Sequence, residues 1–247
     1  MTWGPFQLAF PWIGGAAAIA LLILLFATKL LRGELTSSRW RDPVWISWMA
    51  TVVYLLHNVE EYGIDALGHR LSFPAALCAN MRLPPYPDCP MPPAFFVAVN
   101  IPLFWVVGPI AALLSRRHPL VGFALYSVIS VNAVVHVVAA VATGTPYNPG
   151  LLTAALFFIP LSAWVARTFF GRGRLSYRAM PLIVVWGVVL HAFLIAPTFL
   201  FVNGKIGEPV LVWSQIVNAA LLLLIFWFAE RWHGGALARQ MQGHGRA

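Results

Sequence analysis

Seven runs of mainly apolar residues recur along the chain, at 12–31, 44–62, 95–114, 120–142, 151–170, 181–201 and 209–228. Each has the roughly 20 residues an α-helix needs to cross the hydrocarbon core of a bilayer. The pattern predicts an all-α protein, a polytopic bundle of about seven transmembrane helices in one domain over 1–233. The tail at 234–247 is expected to be disordered. The longest connection, 63–94, carries seven prolines between Pro74 and Pro93, which argues for a stiff, irregular cap rather than a flexible linker. A short helix is expected inside 70–81. The first run is taken as a retained helix, because its basic residues follow the oily stretch instead of preceding it as in a signal peptide.

Composition makes the membrane reading nearly compulsory. Of the 247 residues, 60% are hydrophobic and 10% charged, and mean hydropathy is +0.77. A soluble domain carries roughly 25% charged residues, so this chain has too few to cover a water-facing surface. The net charge of +8 invites a nucleic-acid reading, but the basic residues sit in short loops between oily runs. No basic tract, zinc-finger spacing or P-loop accompanies them, and nucleic acid is excluded as a partner. The bilayer is the expected partner, and the oligomeric state is left open.

The same charges orient the bundle. Lys29, Arg32, Arg39 and Arg41 fall in the first loop, Arg116 and Arg117 in the third, Arg167, Arg172, Arg174 and Arg178 in the fifth, and Arg231, Arg239 and Arg246 at the end. Thirteen of the sixteen basic residues thus lie on one side, against Arg70, Arg82 and Lys205 on the other. The positive-inside rule puts the N-terminus outside and the C-terminus in the cytoplasm, in the cell membrane, or the inner membrane of a Gram-negative cell. Trp3, Trp12, Trp40, Trp45, Trp227 and Trp232 lie near run ends, where interfacial aromatics belong. Cys78 and Cys89 then share an exoplasmic loop, where a disulfide can persist. A Cys78–Cys89 bond is expected, two free thiols being the alternative.

Against this background, polar residues inside the runs stand out, because ionisable groups there are costly and are functional candidates by default. The second run ends in LLHNVEEYG. At about 100° per residue His57, Glu60 and Glu61 share one helical face, flanked by Tyr54. The fourth run places Asn132 and His136 at i and i+4. Asn100, His191, Gln215 and Asn218 add polar groups to the third, sixth and seventh runs, and Tyr147 and Asn148 follow the fourth. Nearly all fall in the predicted outer half. A polar pocket over an apolar floor is the reading, with His57, Glu60, Glu61, Asn132 and His136 as the reactive set. Tyr54, Asn100, Tyr147, Asn148, His191, Gln215 and Asn218 would line the substrate. Plainer roles compete: His191 as a bonded core histidine, and Asn100 and Asn218 as interhelical amide contacts.

Two adjacent carboxylates in a low-dielectric site cannot both stay ionised without a positive partner. One can keep its proton, a histidine can carry the charge, or a divalent cation can bind. His57, Glu61 and His136 have the ligand types for zinc, iron or manganese.

The motif His57-Asn58-Val59-Glu60-Glu61 resembles the signature of the HXXEE family of bacterial integral membrane proteins. The later stretch Asn132…His136…Tyr147-Asn148-Pro149-Gly150 is similar to that family's second polar segment. The resemblance implies a multi-pass membrane protein in which His57, Glu60 and Glu61 matter, and implies no activity. A looser analogy runs to the emopamil-binding sterol isomerase group, with a different His/Glu spacing. The only lysines, Lys29 and Lys205, lie at run edges, so the Schiff-base lysine of a rhodopsin is missing.

The function expected is a membrane enzyme acting on a lipid or isoprenoid-like substrate in the outer half of the bilayer. Metal-assisted hydrolysis and His/Glu acid–base chemistry (isomerisation or cyclisation) both fit. A proton- or metal-coupled transporter, or a non-catalytic accessory subunit, is the alternative.

Overall fold

The computed structural model describes residues 2–171 and 175–244, with side chains through 231. Arg172, Arg174 and Arg246 from the charge pattern lie outside the described residues, as do the side chains of Trp232 and Arg239. The described residues are helical throughout, apart from loops and an isolated bridge between Phe170 and Leu175.

The elements run α1 (Pro5–Ala27), α2 (Pro43–Asn58) with a π-helical extension (Val59–Gly63), and α3 (Ser72–Asn80). Next come α4 (Pro93–Asn100), a π segment (Ile101–Val107) and α5 (Gly108–Leu114), which form one continuous rod. The short α6 (Pro119–Gly122) leads into α7 (Ala124–Thr143). Then follow α8 (Leu151–Thr153), a π turn (Ala154–Phe158) and α9 (Ile159–Phe169), also one rod, and finally α10 (Met180–Val202) and α11 (Glu208–His244). Prolines open α1, α2, α4 and α6, where the missing N–H has no helical partner to lose. Pro102 and Pro160 fall in or beside the π segments, where the i→i−4 ladder is already interrupted.

Two boundaries depart from expectation. The first helix starts at Pro5 and ends at Ala27, earlier than the run at 12–31. Gly4 N–H is met by Gln7 Oε1 at 2.8 Å, which fixes the start. Thr28 turns extended at the other end. The last helix continues to His244 across residues expected to fray; the good helix formers Ala236 to Gln242 follow two glycines there.

Among the described residues, six helical rods are long and apolar enough to cross a membrane: Pro5–Ala27, Pro93–Leu114, Pro119–Thr143, Leu151–Phe169, Tyr177–Val202 and Glu208–Arg231. The protein is therefore a multi-pass membrane protein by length and composition. The helix at 43–63, the expected second span, is not among the six, because His57, Asn58, Glu60 and Glu61 dilute its hydropathy. Burial explains how it tolerates them: fourteen of the sixteen residues of α2 are buried. It packs against α1, α5 and α7, so its polar end faces protein. The apolar groups left exposed are on the surrounding helices, for example Ile19 and Ile23 on α1 and Val184, Val185 and Val188 on α10.

Buried Asp42 anchors the start of α2. One carboxylate oxygen accepts from Val44 and Trp45 N–H, and the other from Arg32 Nε at 2.9 Å and from Gly33 and Glu34 N–H. At the opposite end of the bundle Cys78 and Cys89 are disulfide-bonded. They are buried in a second cluster with Phe10, Tyr62, Met91, Phe95 and Phe96, which fastens the Pro-rich loop onto α1 and α4. On the far side α10 presses on α7 at Gly187, where a Cβ would meet Ser127 O at 2.1 Å. Small residues permit such close backbone approach between membrane helices.

Candidate metal centre

Three acceptor atoms converge where α2 meets α7. Glu61 Oε1 lies 3.3 Å from His57 Nε2 and 3.6 Å from His136 Nε2. All three residues are buried, and their ligand-type atoms lie within 4.8 Å of one another, a grouping able to hold a metal ion.

The outer hydrogen bonds fix what those atoms are. Thr153 Oγ1 donates its single proton to Glu60 Oε2, so it accepts from His57 Nδ1–H at 2.7 Å. On the other histidine, Asn148 Nδ2 donates to His136 O at 2.8 Å. This sets the amide so that Oδ1 accepts from His136 Nδ1–H at 2.7 Å. With both Nδ1 atoms protonated, each imidazole in its neutral form presents an Nε2 lone pair. His57 Nε2 accordingly has no hydrogen-bond partner. Two imidazole Nε2 atoms and a carboxylate oxygen facing one another could share a metal ion or a proton, and the bonds from Thr153 and Asn148 are the kind of outer support that orients histidine ligands.

Glu60 does different work from Glu61. Oε1 accepts from Tyr147 OH at 2.9 Å and Leu152 N–H at 3.0 Å. Oε2 accepts from Thr153 N–H at 2.8 Å and from the Thr153 hydroxyl. It serves as a helix cap delivered from another helix, meeting the free N–H groups of the first turn of α8 and favoured by the positive end of that rod. Tyr147 OH in turn accepts from Ala66 N–H at 3.1 Å. Burial first, then the bond to Glu60 and its charge, push the Tyr147 hydroxyl well above the usual tyrosine range against a lowering by Ala66, so it remains a donor.

The two carboxylates separate because the helix changes pitch beneath them. From Val59 to Gly63 the backbone is π-helical, closed by Ile64 N–H to Val59 O at 2.8 Å, an i→i+5 bond. Such bulges are frequent at functional sites. Ser72 Oγ reaches the carbonyls of Glu60 and Glu61 at 3.3 and 3.4 Å.

The loop 144–150 covers the cluster. Gly150 has φ +95°, a conformation disfavoured for other residues. A Cβ there would come within 2.6 Å of His57 Cε1 and 2.7 Å of His136 Nε2. The quartet Tyr147-Asn148-Pro149-Gly150 thus bonds Glu60, orients His136 and clears room for both rings. Phe158 packs against His57 with ring centroids 4.7 Å apart, and Tyr54 at 5.1 Å.

The remaining sequence candidates are not ligands in this cluster. Tyr54, Asn132, His191, Gln215 and Asn218 line a neighbouring cavity of about 50 Å³. Asn100 is buried and donates to Phe96 O at 2.8 Å, within its own helix. Neither Thr153 nor Gly150 was given a site role from the sequence. A threonine in an apolar run gives no signal until its helix is docked. Gly150 carried one, as the glycine closing an Asn-Pro-Gly turn.

The fold and this cluster define a class: a multi-pass helical membrane protein with a buried His/Glu centre near one end of its bundle. Residues 48–165, just under half of the chain, match the model of a family described as proteins of unknown function with an HXXEE motif. The likeness read from His57, Glu60 and Glu61 therefore holds over a region that also contains His136, Asn148, Gly150 and Thr153. No curated protein and no solved structure matches the chain.

Proposed function

We propose that this protein is an integral membrane enzyme that holds one divalent metal ion on His57, Glu61 and His136 and acts on a lipid-like substrate. One observation carries the reading: three electron-pair donors face one another in a buried site, with both histidine tautomers set from outside. Two histidines and one carboxylate form a ligand set used by catalytic zinc and by non-haem iron, which leaves coordination positions for water or substrate. A divalent ion held there supplies Lewis-acid polarisation of a substrate oxygen, or a water acidified towards neutral pH. Glu61 and the two imidazoles would bind; Thr153 and Asn148 would keep the imidazoles aimed; Glu60 and Tyr147 would hold the cover in place.

Acid–base chemistry without metal fits less well. It asks one histidine to carry a proton that the other acceptors share, and it finds Glu60 already engaged with four donors. Under the positive-inside orientation the centre lies towards the exoplasmic face of the cell membrane, in reach of outer-leaflet lipids.

Metal analysis of protein purified without chelator tests the reading. About one transition-metal ion per chain is expected in wild type, and far less than one in Glu61→Gln and His136→Ala. Wild type that is folded and metal-free, and that fails to take up zinc, iron or manganese on titration, overturns it.

A further inference from the structure

The cavity beside the metal-type cluster runs between α2, α4, α7, α10 and α11, and its polar lining holds buried acceptors that no protein donor meets. Asn132 Oδ1 and Asn218 Oδ1 are buried and accept nothing. Asn218 Nδ2 is bound to Leu190 O at 3.1 Å, which turns its oxygen into the free end of the amide. Gln215 is held likewise, its Nε2 donating to Phe193 O and Ser214 Oγ. His191 Nδ1–H donates to Gly187 O at 2.8 Å, leaving Nε2 as an acceptor. Tyr54 completes the polar lining with a hydroxyl that can donate as well as accept, and the rest of the wall is valine, leucine and alanine.

Buried acceptors without donors are costly, and native proteins meet them with water or a ligand. The lining has no lysine or arginine to receive a phosphate or carboxylate, and no carboxylate to receive an ammonium. An ionic head would therefore be desolvated without a counter-charge. A neutral hydrogen donor fits. At about 50 Å³ the cavity holds a head group and not a whole lipid, so the remainder has to extend along the aliphatic wall.

We propose that this cavity seats the hydroxyl of a long-chain alcohol, donating to Asn132 Oδ1 or Asn218 Oδ1, and so presents that end of the molecule to the neighbouring centre. The cavity adjoins the centre on two counts. Tyr54 packs on His57, and Asn132 lies one helical turn before His136 on α7. The inference rests on the proposed function for what happens to the alcohol, but not for its binding. Asn132 lies inside the family-matched region and Asn218 beyond it, so the cavity draws its two acceptors from both parts of the chain.

Equilibrium binding in lipid nanodiscs tests this, with radiolabelled dodecanol against dodecyl methyl ether and empty nanodiscs as background. The methyl ether keeps the chain and the oxygen and loses the donor. Wild type is expected to bind the alcohol at least 10-fold more tightly. The Asn132→Leu/Asn218→Leu variant is expected to lose that preference while keeping its metal content. Equal binding of alcohol and ether by wild type overturns the proposal and needs no variant, so it stands as a test even if the double variant misfolds. A preference that survives in a folded double variant also overturns it, and leaves water as the occupant of the two amide oxygens. An alcohol preference in protein that takes up no metal supports this inference while removing the metal from the proposed function.

Discussion

Asn148 and His136 hold each other twice: the imidazole Nδ1 pairs with the amide oxygen at 2.7 Å, and the amide nitrogen donates to the histidine's own carbonyl at 2.8 Å. The second bond fixes which end of the amide faces the ring, and the ring in turn has one nitrogen left for the centre.

Replacing Asn148 should therefore act on metal affinity before it acts on folding. Asn148→Leu is expected to weaken metal binding 10- to 100-fold, the usual range for loss of an outer partner, with the melting temperature of the metal-free protein nearly unchanged. Competition with a chromogenic chelator measures the first and thermal unfolding in detergent the second. Unaltered affinity would remove Asn148 from the centre.

Thr153 carries the corresponding role for His57 through one hydroxyl shared with Glu60. Thr153→Val keeps the shape and deletes that hydroxyl, and about a tenfold loss of metal affinity is expected. Thr153→Ser should restore it. A serine variant as weak as the valine one would point to packing of the methyl group instead.

Glu60 and Glu61 should part company under the same substitution. Glu61→Gln is expected to abolish stoichiometric metal and leave the fold intact. Glu60→Gln puts an amide donor against the N–H groups of Leu152 and Thr153, and is expected to cost about 1–3 kcal/mol of stability while metal is still bound. Metal content and unfolding midpoint, read on both variants, should cross over. A matching loss of metal in both would mean that the two carboxylates act as one unit.

Gly150→Ala meets two obstacles, the left-handed backbone and the two imidazoles. Gly144 has φ +65° but open space around it, so Gly144→Ala isolates the backbone part, about 1–2 kcal/mol. Gly150→Ala is expected to lose clearly more than Gly144→Ala and to lose metal as well. Equal losses would show that the loop can lift away from the rings without consequence.

Removing the Cys78–Cys89 bond frees the loop beside the second cluster. By loop-closure entropy Cys78→Ser/Cys89→Ser should cost about 2–3 kcal/mol, with metal content retained. In reduced protein a membrane-impermeant maleimide should label these cysteines from outside intact cells once the loop is loosened by denaturant. Labelling only from the cytoplasmic side would invert the orientation drawn from the positive-inside rule.

Much of this was legible in the sequence because a bilayer simplifies the problem. Oily runs of helix length marked the rods, and ionisable residues within them marked His57, Glu61 and His136 before any coordinates. The division of labour between Glu60 and Glu61 was not legible. A regular 3.6-residue helix puts both on one face with His57, and only the π turn at Val59–Gly63 and the docking of α8 against it assign them to different neighbours. Asn132 was grouped with the reactive set, and His191, Gln215 and Asn218 with the same pocket, because depth alone ranks them together. Which of two adjacent polar cavities a side chain enters depends on helix rotation, which apolar membrane-facing runs leave weakly specified.

The helix that carries the motif is also the one least suited to enter a bilayer unaided. Sheathed by its neighbours on nearly every side, α2 has no need of an oily surface once the bundle is built, but during synthesis that surface is what the insertion machinery samples. It is expected to be admitted together with α1, as a hairpin whose first arm supplies the hydrophobicity the second lacks. Mutations that make α1 more polar should then appear as defects in the topology of α2, far from any chemistry the centre performs.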